Sequence, residues 1–190
     1  MPCERPADAG RSAFCAGLPV PAWVVVMGVS GCGKSSLGGQ LAGALGLPLI
    51  EGDAFHPQDN IRKMRNGLPL DDADRAGWLD CLARELAAHP GGAVLSCSAL
   101  KRAYRERLRA AVPRLRFVFL EIGREEARAR VQARAPAHIF PASLVDSQFE
   151  ALESPVGEPD VLAVPATAPL PQLRAQALAW LGACAIPPAP

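Results

Sequence analysis

Val24-Val25-Val26-Met27-Gly28-Val29-Ser30-Gly31-Cys32-Gly33-Lys34-Ser35-Ser36 decides how the rest of the chain is read. A β-branched apolar run leads into G-x-x-x-x-G-K-[ST], carried by Gly28, Gly33, Lys34 and Ser35, and Leu37, Leu41 and Leu45 follow at helical spacing. Strand, glycine loop, helix is the order that a phosphate cradle requires. The glycines let the loop turn tightly and bring successive backbone N–H groups onto phosphate oxygens. The helix that opens at Lys34 adds its positive dipole end. Lys34 supplies a mobile charge for the β- and γ-phosphates, and the Ser35 hydroxyl can ligate Mg²⁺. Residues 28–36 are therefore expected to hold the triphosphate of ATP, with the metal on Ser35.

Working outward, Gly46 and then Pro48 stop the first helix, and Leu49-Ile50 reads as a short buried strand ending in Glu51-Gly52-Asp53. Ligands gather at the carboxyl ends of strands in open α/β sheets, which places Asp53 in the crevice of the phosphate loop. Residues 54–70 are mostly polar and turn-forming, with Pro57 expected to start a short helix and Gly67 to end it. Asp71 or Asp72 should cap a long amphipathic helix with Trp78, Leu79, Leu82 and Leu86 inward. Buried strands are expected at 93–97, 116–120 and 161–164. Helices are expected from Ser98 through Tyr104, Leu108 and Val112, at 125–134, from Ser143 through Phe149 and Leu152, and at 170–184. Strands alternating with helices predict an α/β, three-layer α/β/α domain of the P-loop NTPase type around a five-stranded parallel sheet. That domain should span 23–184, between tails at 1–22 and 185–190. Segments 54–70 and 124–142 have the length to act as substrate flap and lid, because an open active site would lose phosphoryl groups to water.

Composition narrows the setting. The 190 residues fit one domain with a full core, and a net charge of +1 gives no argument for nucleic-acid or membrane partners. No uncharged apolar run of 18 residues is present. Residues 101–134 nevertheless carry a local charge of +7, leaving −6 for the remainder, which is either a solvated basic face or a field for anionic ligands. Six cysteines without CxxC or metal-ligand spacing, and no signal peptide, read as reduced thiols of a cytoplasmic protein. Cys32, beside Lys34 and a helix N-terminus, is expected to be reactive and shielded by ATP.

Several blocks together resemble the thermoresistant-type gluconokinases. They are the decisive stretch, Gly52-Asp53-Ala54-Phe55-His56-Pro57, Asn60-Ile61-Arg62-Lys63-Met64, Gly67-Leu68-Pro69-Leu70-Asp71-Asp72-Ala73-Asp74-Arg75, Cys97-Ser98-Ala99-Leu100-Lys101-Arg102-Ala103-Tyr104-Arg105 and Ser147-Gln148-Phe149-Glu150-Ala151-Leu152-Glu153. The resemblance covers about residues 23–182. It implies a fold similar to shikimate and nucleoside monophosphate kinases, and Mg²⁺-dependent transfer of the ATP γ-phosphoryl group to the 6-hydroxyl of D-gluconate. It also admits a homodimer. It makes Lys34, Asp53 and Arg130 the catalytic candidates, with Asp53 taking the proton of the acceptor hydroxyl. His56, Arg62, Arg75, Lys101, Arg105 and His138 become candidates for the sugar acid, and Arg130 and Arg134 match lid arginines over the phosphates. Two departures stand out. Cys32 replaces the usual Ser, and Ala135-Pro136-Ala137-His138-Ile139 replaces a shorter, glycine-containing lid segment. Two other readings stay open: a shikimate-kinase-like enzyme for another small anionic metabolite, and a non-catalytic nucleotide switch.

Overall fold

The apolar run of the decisive stretch forms β1 (Ala22–Met27), the central strand of a parallel sheet and buried along nearly its whole length. A computed structural model of the chain describes residues 22–112, 114–134 and 142–183. Among them follow α1 (Lys34–Leu45), β2 (Leu49–Glu51), α2 (Gln58–Arg65), α3 (Asp72–Ala87) and β3 (Gly92–Ser96). Then come α4 (Arg102–Arg109), β4 (Arg116–Glu121), α5 (Arg124–Arg134), α6 (Val145–Ala151), β5 (Val161–Pro165) and α7 (Leu170–Ala183). The described strands form one five-stranded sheet in the order β2-β3-β1-β4-β5, with Val24 opposite Val94 on one side and Arg116 on the other.

Alternation along β1 divides the core into two layers. Val24 and Val26 pack with Leu37 and Leu41 of α1 and with Leu173, Ala177 and Leu181 of α7. Val25 and Met27 face the other way, onto Trp78, Leu79, Leu82 and Leu86 of α3 and Leu108 of α4. Neighbouring strands β1 and β3 thus feed helices onto opposite faces of the sheet. At such a reversal the outgoing loops part, and a crevice opens between the strands' carboxyl ends.

Helix ends follow local chemistry. Asp71 caps α3 in a reciprocal box: its carboxylate accepts from the Asp74 amide at 2.8 Å, while the Asp74 carboxylate accepts from the Asp71 amide at 3.0 Å. Four expectations need correction. Pro57 is the cap before α2 rather than its first residue, and Asn66 intervenes before Gly67. Ser143 does not cap α6, because the chain enters that helix through a 3₁₀ turn over Ala142–Leu144, which leaves Leu144 at the cap position. Ala22, assigned above to the tail, begins β1 opposite Gly92. Cys81 is disulfide-bonded rather than a reduced thiol. None of the helices among the described residues is long and apolar enough to cross a membrane.

Candidate active site

The loop between β1 and α1 opens into the crevice. Gly28 has φ 140°, and a Cβ there would lie 2.8 Å from the Leu120 carbonyl oxygen. Gly31, which the motif leaves unspecified, has φ 85° and would put a Cβ 2.7 Å from the Ala127 carbonyl oxygen. Both positions therefore exclude a side chain. Lys34 folds back over its own loop, its Nζ donating to the Val29 carbonyl at 3.1 Å. The Ser35 hydroxyl donates to Glu51 Oε2 at 2.9 Å and lies 3.5 Å from Ser96 Oγ. Ser35, Glu51 and Ser96 bring hard oxygen donors from three elements to one point, a set that suits a divalent cation arriving with phosphates. Among the described residues no cluster of three or more His, Cys, Asp or Glu could hold a metal by itself. Cys32 is only 2 % exposed and packs into the core beneath the loop, so the accessible thiol expected there is absent. Cys97, just past β3, is buried as well, and desolvation pushes its thiol up to about 12.

Across the crevice, β2 runs into a 3₁₀ turn over Gly52–Phe55 that carries Asp53 into the space lined by Lys34 and Ser30. Trp78 fixes that turn. Its indole Nε1 donates to the Gly52 carbonyl at 2.8 Å, and its ring stacks on His56 with centroids 4.2 Å apart. Burial is the main cause that pulls His56 down to about 4; Asp53 opposes the shift and Arg75 reinforces it. His56 is therefore a neutral imidazole at physiological pH, able to donate or accept a hydrogen bond but not to carry charge. The unfolded chain then binds the extra proton between pH 4 and 6.5, so stability rises with pH across that window. His56→Gln is expected to flatten this slope in chemical denaturation at pH 4.5, 5.5 and 6.5, while leaving kcat without a lost ionisation between pH 6 and 8.

The basic residues separate into two groups. Arg75 lines the crevice, donates to the Leu70 carbonyl and lies 5.8 Å from the Tyr104 ring centroid, with no ion pair to a carboxylate among the described residues. Lys101 lies in the adjoining cleft and pairs with Asp72 at 2.7 Å, and the Tyr104 hydroxyl donates to the same carboxylate. Arg62 and Arg105 are not brought into the crevice lining. Arg62, with its side chain 72 % exposed, pairs with Asp59 one turn away on the outer side of α2. Arg105 is fully buried, with its donors committed to Glu158 and to the Ala99 and Leu100 carbonyls. Arg130 donates to Glu126 at 2.7 Å and to the Ala166 carbonyl at 3.1 Å, outside the crevice lining. Arg134 ends α5, and His138 lies outside the described residues.

Sequence reading missed Glu51, Trp78 and Gln148 as parts of the site. Glu51 had a signal, an acidic residue two before Asp53 at a strand end, whereas Trp78 looked like core. A triphosphate nest and a walled acceptor pocket that share one crevice define a phosphotransferase of the P-loop kinase class. The AAA domain family matches residues 24–159. A gluconokinase of Gluconobacter oxydans is 47% identical over 148 residues, covering 76% of this chain and 82% of that protein. The thermoresistant gluconokinase of Escherichia coli is 39% identical over 150 residues, covering 77% and 85%. A solved gluconokinase from Sinorhizobium meliloti superposes with a TM-score of 0.79 at 48% identity, covering 87% of this chain and 94% of that one. The chain belongs to the gluconokinase family.

Proposed function

We propose that this chain transfers the terminal phosphoryl group of ATP to the 6-hydroxyl of D-gluconate. The observation that carries the reading is the meeting of Lys34, Asp53 and Arg75 around one crevice. Phosphoryl transfer needs positioning and electrostatics more than covalent help from the protein. Residues 28–36 hold the triphosphate through the backbone N–H groups that Ser98 and Gln148 do not take, with Lys34 leaving Val29 for the β- and γ-phosphates. Asp53 accepts a hydrogen bond from the acceptor hydroxyl and takes its proton as the new P–O bond forms and the bond to ADP breaks. Arg75, forked and without an ion pair among the described residues, suits the sugar-acid carboxylate, and Lys101 extends that positive edge. Neutral His56 hydrogen-bonds a hydroxyl of the polyol chain. Ser35, assisted by Glu51, would hold Mg²⁺, which when bound would neutralise charge on the phosphates. Arg130 and Arg134 act as lid arginines only if closure takes Arg130 off Glu126 and Ala166.

Coupled ADP release with gluconate, shikimate or no acceptor tests the assignment. Turnover is expected with gluconate at least a hundredfold above both other arms. Equal rates with shikimate would favour the broader small-anion kinase, and equal rates without acceptor a nucleotide switch.

A further inference from the structure

Gln148 has no part in the mechanism above, although its side chain reaches the phosphate loop from 118 residues away. It projects from α6, is buried, and its Oε1 accepts from the Ser30 amide at 2.6 Å. Because a backbone N–H only donates, the atom facing Ser30 must be the oxygen, and the amide orientation is fixed by chemistry. The Nε2 end is then turned the other way. Among the described residues nothing accepts from it, and it is not sealed from solvent. Gln148 lines the crevice together with Lys34 and Asp53, the same crevice in which nucleotide and acceptor would meet. The supporting element is held firmly: Asp146, two residues earlier, takes Arg124 at 3.1 Å and Arg128 at 2.6 Å, and the Ser147 hydroxyl donates to Leu144. Ser30 stands at the third position of the loop motif and lines the crevice with Asp53.

We infer that Gln148 is a further catalytic residue: its Nε2 donates to an oxygen of the γ-phosphoryl group as that group passes to the acceptor, while the Ser30 amide holds the side chain in place. A fixed neutral donor strengthens as charge spreads over the equatorial oxygens and adds no electrostatic attraction that would hold the product. The inference rests on the kinase reading above.

Two substitutions of similar length separate donor from brace. Gln148→Glu keeps an acceptor for Ser30 and removes the donor, so the thermal midpoint should hold. Gln148→Met removes both without adding charge. Both are expected to lower kcat at least tenfold, toward the hundredfold typical of losing one preorganised donor. The gluconate KM and the affinity for ADP, which lacks the γ-phosphate, should stay within threefold of wild type, while a non-hydrolysable ATP analogue binds at least tenfold more weakly. A loss of less than tenfold in Gln148→Glu, a change confined to the gluconate KM, or ADP and analogue weakened alike would each overturn the inference. Wild-type turnover with gluconate in the same assay checks the underlying reading, and the contrast between ADP and analogue tests Gln148 even if that reading fails.

Discussion

Lys34→Ala is expected to lower kcat with gluconate by 10²- to 10³-fold, a loss of roughly 3–4 kcal/mol in the transition state, and to leave the thermal midpoint nearly unchanged. The asymmetry follows from the lysine's partners. In the free protein its ammonium makes a single hydrogen bond, to the Val29 carbonyl at 3.1 Å, and no ion pair among the described residues. A hydrogen bond of this kind contributes about 1 kcal/mol net, and water can reach the carbonyl once the lysine is gone. In the proposed mechanism the same ammonium would face phosphate oxygens whose charge shifts during transfer, and among the described residues no neighbouring cation is placed to substitute for it. Arg75 sits on the acceptor side and Arg130 is tied to Glu126. Lys34→Arg should recover little, since a planar fork cannot follow the phosphate as a compact charge on a flexible stem does. Single-turnover rates together with a melt of each variant check the pair of outcomes.

The sheet and the nest were legible because their signals are local. Central parallel strands read as unbroken apolar runs such as Val24-Val25-Val26, and the loop's glycines answer to backbone geometry within eight residues. What was illegible is which charges face each other. Arg75 and Arg105 look alike in one dimension, yet the first opens on the crevice while the second projects from the buried side of α4, bound to a glutamate 53 residues on. Neither spacing nor composition encodes that pairing. Glu51 meets Ser35 only because β2 lies within reach of the α1 N-terminus, and Gln148 meets Ser30 only because α6 folds back over the loop. His56 is a candidate substrate contact by resemblance, but its neutrality is set by burial against Trp78, a residue whose helical spacing speaks only of core.

Arg105→Met should produce the largest loss of stability, about 3–5 kcal/mol, because removing one partner strands the rest of a buried ion pair. Arg105 is fully buried, and its Nε and Nη2 donate to Glu158 at 3.0 and 2.5 Å. Its Nη1 donates to the Ala99 and Leu100 carbonyls at 3.0 and 2.9 Å. Ala99 has φ 43°, a strained conformation for a residue with a side chain, and these two bonds hold it there. With methionine the carbonyls lose their donor, and among the described residues Glu158 keeps Arg109 alone, at 3.1 Å. For a chain of this size the loss corresponds to a drop of roughly 10 °C in thermal midpoint. Adding Glu158→Gln to Arg105→Met should cost less than Glu158→Gln alone, since the stranded carboxylate is then gone. The pH dependence has a fixed sign. Hydrogen bonds from Arg105, then charge, hold the Glu158 carboxyl below its ordinary range, so the stabilisation is complete above the unfolded value and fades as pH falls through the folded one. The gap between wild type and Arg105→Met should therefore narrow below about pH 4, close to the ordinary carboxylate value. Activity supplies the remaining test. Ser98, next to Ala99, accepts from the Gly28 amide at 3.4 Å, so the segment Arg105 holds also supports the phosphate loop. If Arg105 acts only through that support, the variant assayed well below its melting point keeps its gluconate KM and loses kcat in step with the loosened loop. A raised gluconate KM at full kcat would instead return Arg105 to the substrate.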